Sequence, residues 1–181
     1  MFTCKPIAAT IATAALLGAC AIQPETVVPK RGPDLGHAAT AQELRAADIS
    51  IPPSGAGLPA GSGDAKQGAS VYAAKCQACH GEKGVGKPAD ALVGGIGSLA
   101  TAKPVRSVGS FWPYATTLFD YTRRAMPLQN PKSLTDEEVY AVTAYVLFIN
   151  GIVAENAPMN AQTLPQVKMP NRDGFVDYSR K

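Results

Sequence analysis

The residues with the most chemistry in this chain are Cys76-Gln77-Ala78-Cys79-His80. Two thiols three positions apart at a helix end can each add across a vinyl group of a haem. The adjoining imidazole is then held under the porphyrin as an axial ligand, and Cys-x-x-Cys-His is the attachment signal for c-type haem. With this composition a chance match is rare, about one in a thousand. A thioredoxin-like redox pair would need a strand and a βαβ setting, and neither precedes Cys76. A zinc site would need further Cys or His ligands, and only His37 remains. The motif therefore predicts one covalently bound haem c, attached at Cys76 and Cys79, with His80 on the iron.

Elements that would position this motif are visible on both sides of it. Asp64 is placed to cap a helix through Ala65 to Lys75, with Gly68, Val71 and Tyr72 on one face. Gly68 costs about 1 kcal/mol relative to Ala inside a helix, and a close helix crossing would explain it. Further on, Leu134-Thr135-Asp136-Glu137-Glu138-Val139 reads as a helix start. Thr135 and Glu138 form a capping box, and Leu134 and Val139 a hydrophobic staple. That helix runs to about Asn150, where Asn150-Gly151 ends it. Val139, Val142, Val146 and Ile149 line one face, while Tyr140, Ala144, Tyr145 and Phe148 fill much of the rest, so the helix must be largely buried.

The chain has 181 residues and a formal charge of only +3, which excludes an extended nucleic-acid-binding surface. No apolar run reaches the roughly 20 residues of a membrane span. Lys5, the uncharged stretch Ile7 to Ala19 and the small residues before Cys20 read as a secretory signal over residues 1–19. Leu17-Gly18-Ala19-Cys20 resembles the lipobox of bacterial lipoproteins, which implies lipidation of Cys20 and a periplasmic, membrane-anchored protein. An ordinary signal cut elsewhere is the alternative, and Cys4 lies in the removed part under either reading. Residues 20–62 hold six prolines and no aromatic residue. They read as a flexible tether, with at most a short helix over Ala39 to Asp48, and the folded core is expected from Gly63.

A first helix ending in Cys-x-x-Cys-His and a buried terminal helix together resemble a class I cytochrome c over residues 63–150. The fold this implies is all-α, with a long N-terminal linker and a C-terminal extension over residues 151–181, which is expected to lie across the domain or along a partner. The resemblance also implies a methionine sulfur as the sixth iron ligand, and Met126-Pro127 stands in the loop before the last helix. Met159 and Met169 are the rivals. It implies too that His80 donates its other ring N–H to a carbonyl near Pro88. Trp112 and Tyr114 carry donors suited to haem propionates, and Arg123 and Arg124 are candidates to pair with them or to meet a partner.

The stretch from Gly109 through Phe111-Trp112-Pro113-Tyr114 to Ala125-Met126-Pro127 is similar to the cytochrome subunit of Sox-type sulfur dehydrogenase, the SoxD family, and to related subunits of sulfite dehydrogenases. Asn156-Ala157-Pro158-Met159 and Met169 to Phe175 resemble that family as well. The resemblance implies a one-electron carrier and no catalysis of its own. Its donor would be a molybdenum-cofactor subunit oxidising sulfur compounds, and its acceptor another cytochrome or an oxidase. Some members carry two haems, whereas this chain has one attachment motif. A free-standing, membrane-tethered carrier between respiratory complexes and a terminal oxidase is the alternative. An enzyme using the haem itself would need an open sixth position, which Met126 argues against.

Overall fold

Thr135 and Glu138 start the longest helix as their spacing predicts. The Thr135 side chain accepts the Glu138 N–H, and the Glu138 carboxylate accepts the Thr135 N–H at 3.0 Å. The computed structural model describes Gly32, residues 36–176 and residues 178–180. The predicted signal, Cys4 and Cys20 lie outside the described residues. Residues 39–181 form one compact unit.

Six helices make up almost all the regular structure of this unit: α1 Ala41–Ala47, α2 Ala65–Lys75, α3 Gln77–His80, α4 Val108–Phe111, α5 Ala115–Ala125 and α6 Asp136–Ile149. Two-residue strands β1, Ser62–Gly63, and β2, Met159–Asn160, pair antiparallel. The fold is thus the all-α arrangement expected. Eight of the fourteen α6 residues are buried, so α6 is the central element. Helix α2 starts at a second reciprocal cap, Asp64 with Gln67, and crosses α6 at Gly68. Helix α5 packs on α6 through Phe119, whose ring lies 4.5 Å from that of Tyr140. Each such aromatic contact adds about 1 kcal/mol to the area it buries.

The tether differs from expectation. Helix α1 forms, capped by Thr40 and Glu43, and is exposed, but the chain from Ile51 is fastened to the helices. Ile51 is buried at 5% exposure, and its N–H donates to the Asp120 carboxylate of α5 at 2.8 Å. The Thr116 hydroxyl donates to the Pro53 carbonyl at 3.1 Å, and the Tyr140 hydroxyl to the Pro59 carbonyl at 2.9 Å. A proline-rich segment has carbonyls with no helical partners, and hydroxyls on α5 and α6 take them. The segment is held largely by its backbone, which is why a lack of aromatic residues misleads. The C-terminal extension lies across the same unit, burying Met159, Leu164, Val167 and Met169.

Candidate functional site

Helices α2 and α3 meet at Cys76, the C-cap of one and the N-cap of the other. This junction turns both cysteines and His80 toward a cavity of about 410 Å³, which is within the usual size of a cofactor site. Its walls come from Tyr72 on α2, Val108 and Phe111 on α4, Leu118 on α5 and Val142 and Val146 on α6. Met126, the C-cap residue of α5, lines the same cavity. The rivals do not: Met159 and Met169 are 4% and 3% exposed and belong to the core.

The loop after the motif folds back over it. Gly86 N–H donates to the His80 carbonyl at 2.7 Å and Ala89 N–H to the Cys79 carbonyl at 2.8 Å. This brings the Asp90 carbonyl to 2.9 Å from His80 Nδ1. A carbonyl only accepts, so Nδ1 carries the ring proton and Nε2 keeps its lone pair for a metal. The acceptor is therefore two residues beyond Pro88. Tyr72 donates its hydroxyl to the Gly81 carbonyl at 2.8 Å, bracing the end of the motif, and burial pushes that phenol up to about 12.

Both thiols are free. Burial pushes the Cys76 thiol up to about 11, with Lys75 opposing and Cys79 adding to the rise. Gln129 donates its amide N–H to Cys79 Sγ at 3.8 Å.

Other nominated residues divide. Trp112 lines the cavity and packs edge-on against Tyr121 at 5.7 Å. Tyr114 does not; the Arg172 guanidinium covers its ring at 4.6 Å. Arg123 and Arg124 are also away from the cavity. Arg123 pairs with Asp136 at 2.9 Å, and Arg124 reaches back one turn to Asp120. The arginine that lines it is Arg106, over the Phe111 ring at 5.5 Å. Sequence reasoning missed Arg106 because it stands in a patternless loop, and read Asn150 only as a helix end, whereas its amide donates to the Leu92 and Val146 carbonyls.

Comparison with known proteins gives this geometry a context. The sequence profile described as cytochrome C oxidase, cbb3-type, subunit III, matches residues 63–146. A chain in the crystal structure of the sulfane dehydrogenase SoxCD from Paracoccus pantotrophus is similar at 37% identity, with a TM-score of 0.75. The match covers 82% of this chain and 74% of that one. The chain belongs to the class I c-type cytochromes. Curated proteins provide no match.

A class I c-type cytochrome is an electron-transfer protein that holds haem c, and the residues present fit that group. The cavity of this cytochrome is walled mainly by apolar side chains, as a porphyrin face requires. Its polar groups are two free thiols, placed to bond the vinyl groups of a haem, and an imidazole with a fixed tautomer and a thioether, donors that suit haem iron. The structural match extends well beyond residues 63–146, since it covers 82% of the cytochrome. Among the described residues no helix is long and apolar enough to cross a membrane.

Proposed function

We propose that this cytochrome is a periplasmic single-electron carrier that accepts electrons from a molybdenum-cofactor dehydrogenase acting on sulfur compounds. The observation that carries this reading is the 37% identity, over most of both chains, with a chain of a sulfane dehydrogenase. Cys76 and Cys79 would hold one haem c through two thioether bonds, and His80 and Met126 are the residues that would ligate its iron. Bound there, the haem supplies a reversible Fe(III)/Fe(II) couple. The Asp90 carbonyl fixes the His80 ring and raises the basicity of Nε2. Met126, which lines the cavity, would offer a soft thioether that favours ferrous iron and would leave no place for a substrate on the metal. Tyr72, Phe111, Leu118 and Val146 exclude water from the cavity.

Residues 1–19 serve as the export signal in this reading, and Cys20 takes the lipid that tethers the domain of residues 63–150 to a membrane. The extension over residues 151–181 stays with the domain. Another cytochrome or an oxidase takes the electron onward. Two preparations test the proposal: the protein matured in a haem-loading host, and the same protein mixed with its molybdenum partner. Reduction by sulfite or a thiosulfate-derived substrate only in the presence of the partner is expected. Equal reduction by a quinol-dependent complex, with no response to the molybdenum enzyme, would replace it with the second reading. That reading, a free carrier feeding an oxidase, is favoured only by the match to an oxidase subunit over residues 63–146. A protein without haem would overturn both.

A further inference from the structure

The cavity wall between α4 and α5 is the least self-supporting part of the site. Helix α4 is four residues long, and Trp112 to Tyr114 are extended or irregular before α5 begins. Tyr114, the N-cap of α5, offers no side-chain cap. A helix so short leaves its last carbonyls without partners in the helix. Yet Phe111 and Trp112 of this break line the cavity.

Three residues of the C-terminal extension meet this break, and nearly everything they touch there belongs to it. Asn171 donates its side-chain N–H to the Phe111 carbonyl at 2.8 Å, satisfying an orphan acceptor at the end of α4. Arg172 lies over the Tyr114 ring, 4.6 Å from its centre. Phe175 packs edge-on against Phe111 at 5.2 Å between ring centres. Gly174 keeps the Asn171 amide in place by leaving room for it: a β-carbon on residue 174 would fall 1.8 Å from Asn171 Oδ1.

We infer that Asn171, Arg172 and Phe175 are positioning residues for the cofactor. They hold the Phe111–Tyr114 wall against the cavity and thereby set the environment of the iron, although none of them lines the cavity. Resting on the haem reading above, the inference adds a role for a segment that lies beyond residues 63–150. A tail that only added stability would be expected to spread its contacts over the unit. This segment concentrates a hydrogen bond, a guanidinium and an aromatic edge on one irregular stretch.

The experiment uses the full-length holoprotein and the variants Asn171→Ala, Gly174→Ala and Tyr140→Phe. Tyr140→Phe is the control, since it removes one hydrogen bond, to the Pro59 carbonyl, from a side chain that does not line the cavity. Gly174→Ala keeps every existing side chain and only displaces the Asn171 amide, so it decides the matter should Asn171→Ala fail to fold. Three quantities are read: midpoint potential, Soret circular dichroism, and the rate at which imidazole displaces the sixth ligand of the oxidised protein. Asn171→Ala and Gly174→Ala should alter the Soret spectrum and the potential and speed imidazole binding about fivefold, the factor that one neutral hydrogen bond represents. Tyr140→Phe should leave all three as in wild type. The inference is overturned if the tail variants melt earlier with unchanged potential, spectrum and imidazole rate, or if Tyr140→Phe moves them equally. Wild-type protein without haem would fail the underlying reading, a result distinct from either.

Discussion

Gly68 lies so close to Ala141 that a β-carbon on residue 68 would fall 1.9 Å from the Ala141 carbonyl oxygen. Gly63 approaches the same residue, with its β-carbon position 2.5 Å from the Ala141 N atom. The crossing of α2 and α6, which sets the distance between Cys76 and the α6 wall, therefore depends on two missing side chains over one alanine.

Gly68→Ala tests that dependence because two effects of opposite sign compete. Helix propensity favours Ala by about 1 kcal/mol. The clash is with backbone, which cannot rotate away, and overpacking of this kind costs about 1–3 kcal/mol or more. The clash should win, and Gly68→Ala should lower the thermal midpoint of the holoprotein. A midpoint at or above wild type would mean that the helices do not cross this closely.

Asp120 predicts a pH dependence. Burial raises its carboxyl, but hydrogen bonds from the Arg124 side chain and the Ile51 N–H outweigh that and hold it below the ordinary carboxylate range. A carboxyl whose folded pKa is depressed contributes stability above its unfolded pKa, about 4, and loses it as pH falls through the folded value. Asp120→Asn should cost about 1.5–3 kcal/mol at neutral pH, the worth of hydrogen bonds to a charged group. Its stability should then fall less than that of wild type on acidification. Urea unfolding at neutral pH and below pH 4 measures both; parallel loss in the two proteins would remove Asp120 as the cause.

What the sequence reveals here is what local physics writes into it. The reciprocal caps at Asp64 and Thr135, the buried α6 face and the glycine at the crossing each follow from spacing and residue type within one or two turns. The haem motif is likewise read within five residues, whereas Met126 is nominated by the family resemblance and not by local spacing; the structure puts it at the C-cap of α5, lining the cavity. Three of the contacts that hold the 51–59 segment and the tail are between hydroxyls or amides and backbone carbonyls more than 55 positions away. Any residue offers a carbonyl, so such pairings leave no mark in the sequence. Arg123 and Arg124 mislead for a related reason: their nearness to Met126 along the chain suggests the cavity, but helical geometry turns them to Asp136 and Asp120.

Asn150 ties two walls of the cavity to the end of α6. Its amide nitrogen donates to the Leu92 carbonyl at 3.0 Å and to the Val146 carbonyl at 2.9 Å, while its Oδ1 is buried without a partner. Asn150→Leu loses two hydrogen bonds and strands the Leu92 carbonyl, but also removes an orphan acceptor. The losses outnumber the gain, so a net cost of about 1 kcal/mol is expected. In urea unfolding this appears as a lower midpoint with an unchanged slope. An unchanged midpoint would show that the orphan Oδ1 costs as much as the two bonds contribute.

Three methionines separate ligation from packing. Met126 lines the cavity, whereas Met159 and Met169 are buried in the core. If Met126 supplies the sixth ligand, Met126→Ala abolishes the long-wavelength charge-transfer band of methionine-ligated ferric haem, lowers the potential and admits cyanide to the iron. Met169→Ala should keep the band and the potential and instead lose about 2–5 kcal/mol of stability, the cost of truncating a buried methionine. The two variants thus fail in different observables, and neither can be mistaken for a general loss of structure. A band that survives Met126→Ala and disappears in Met169→Ala or Met159→Ala would transfer the ligand to the extension.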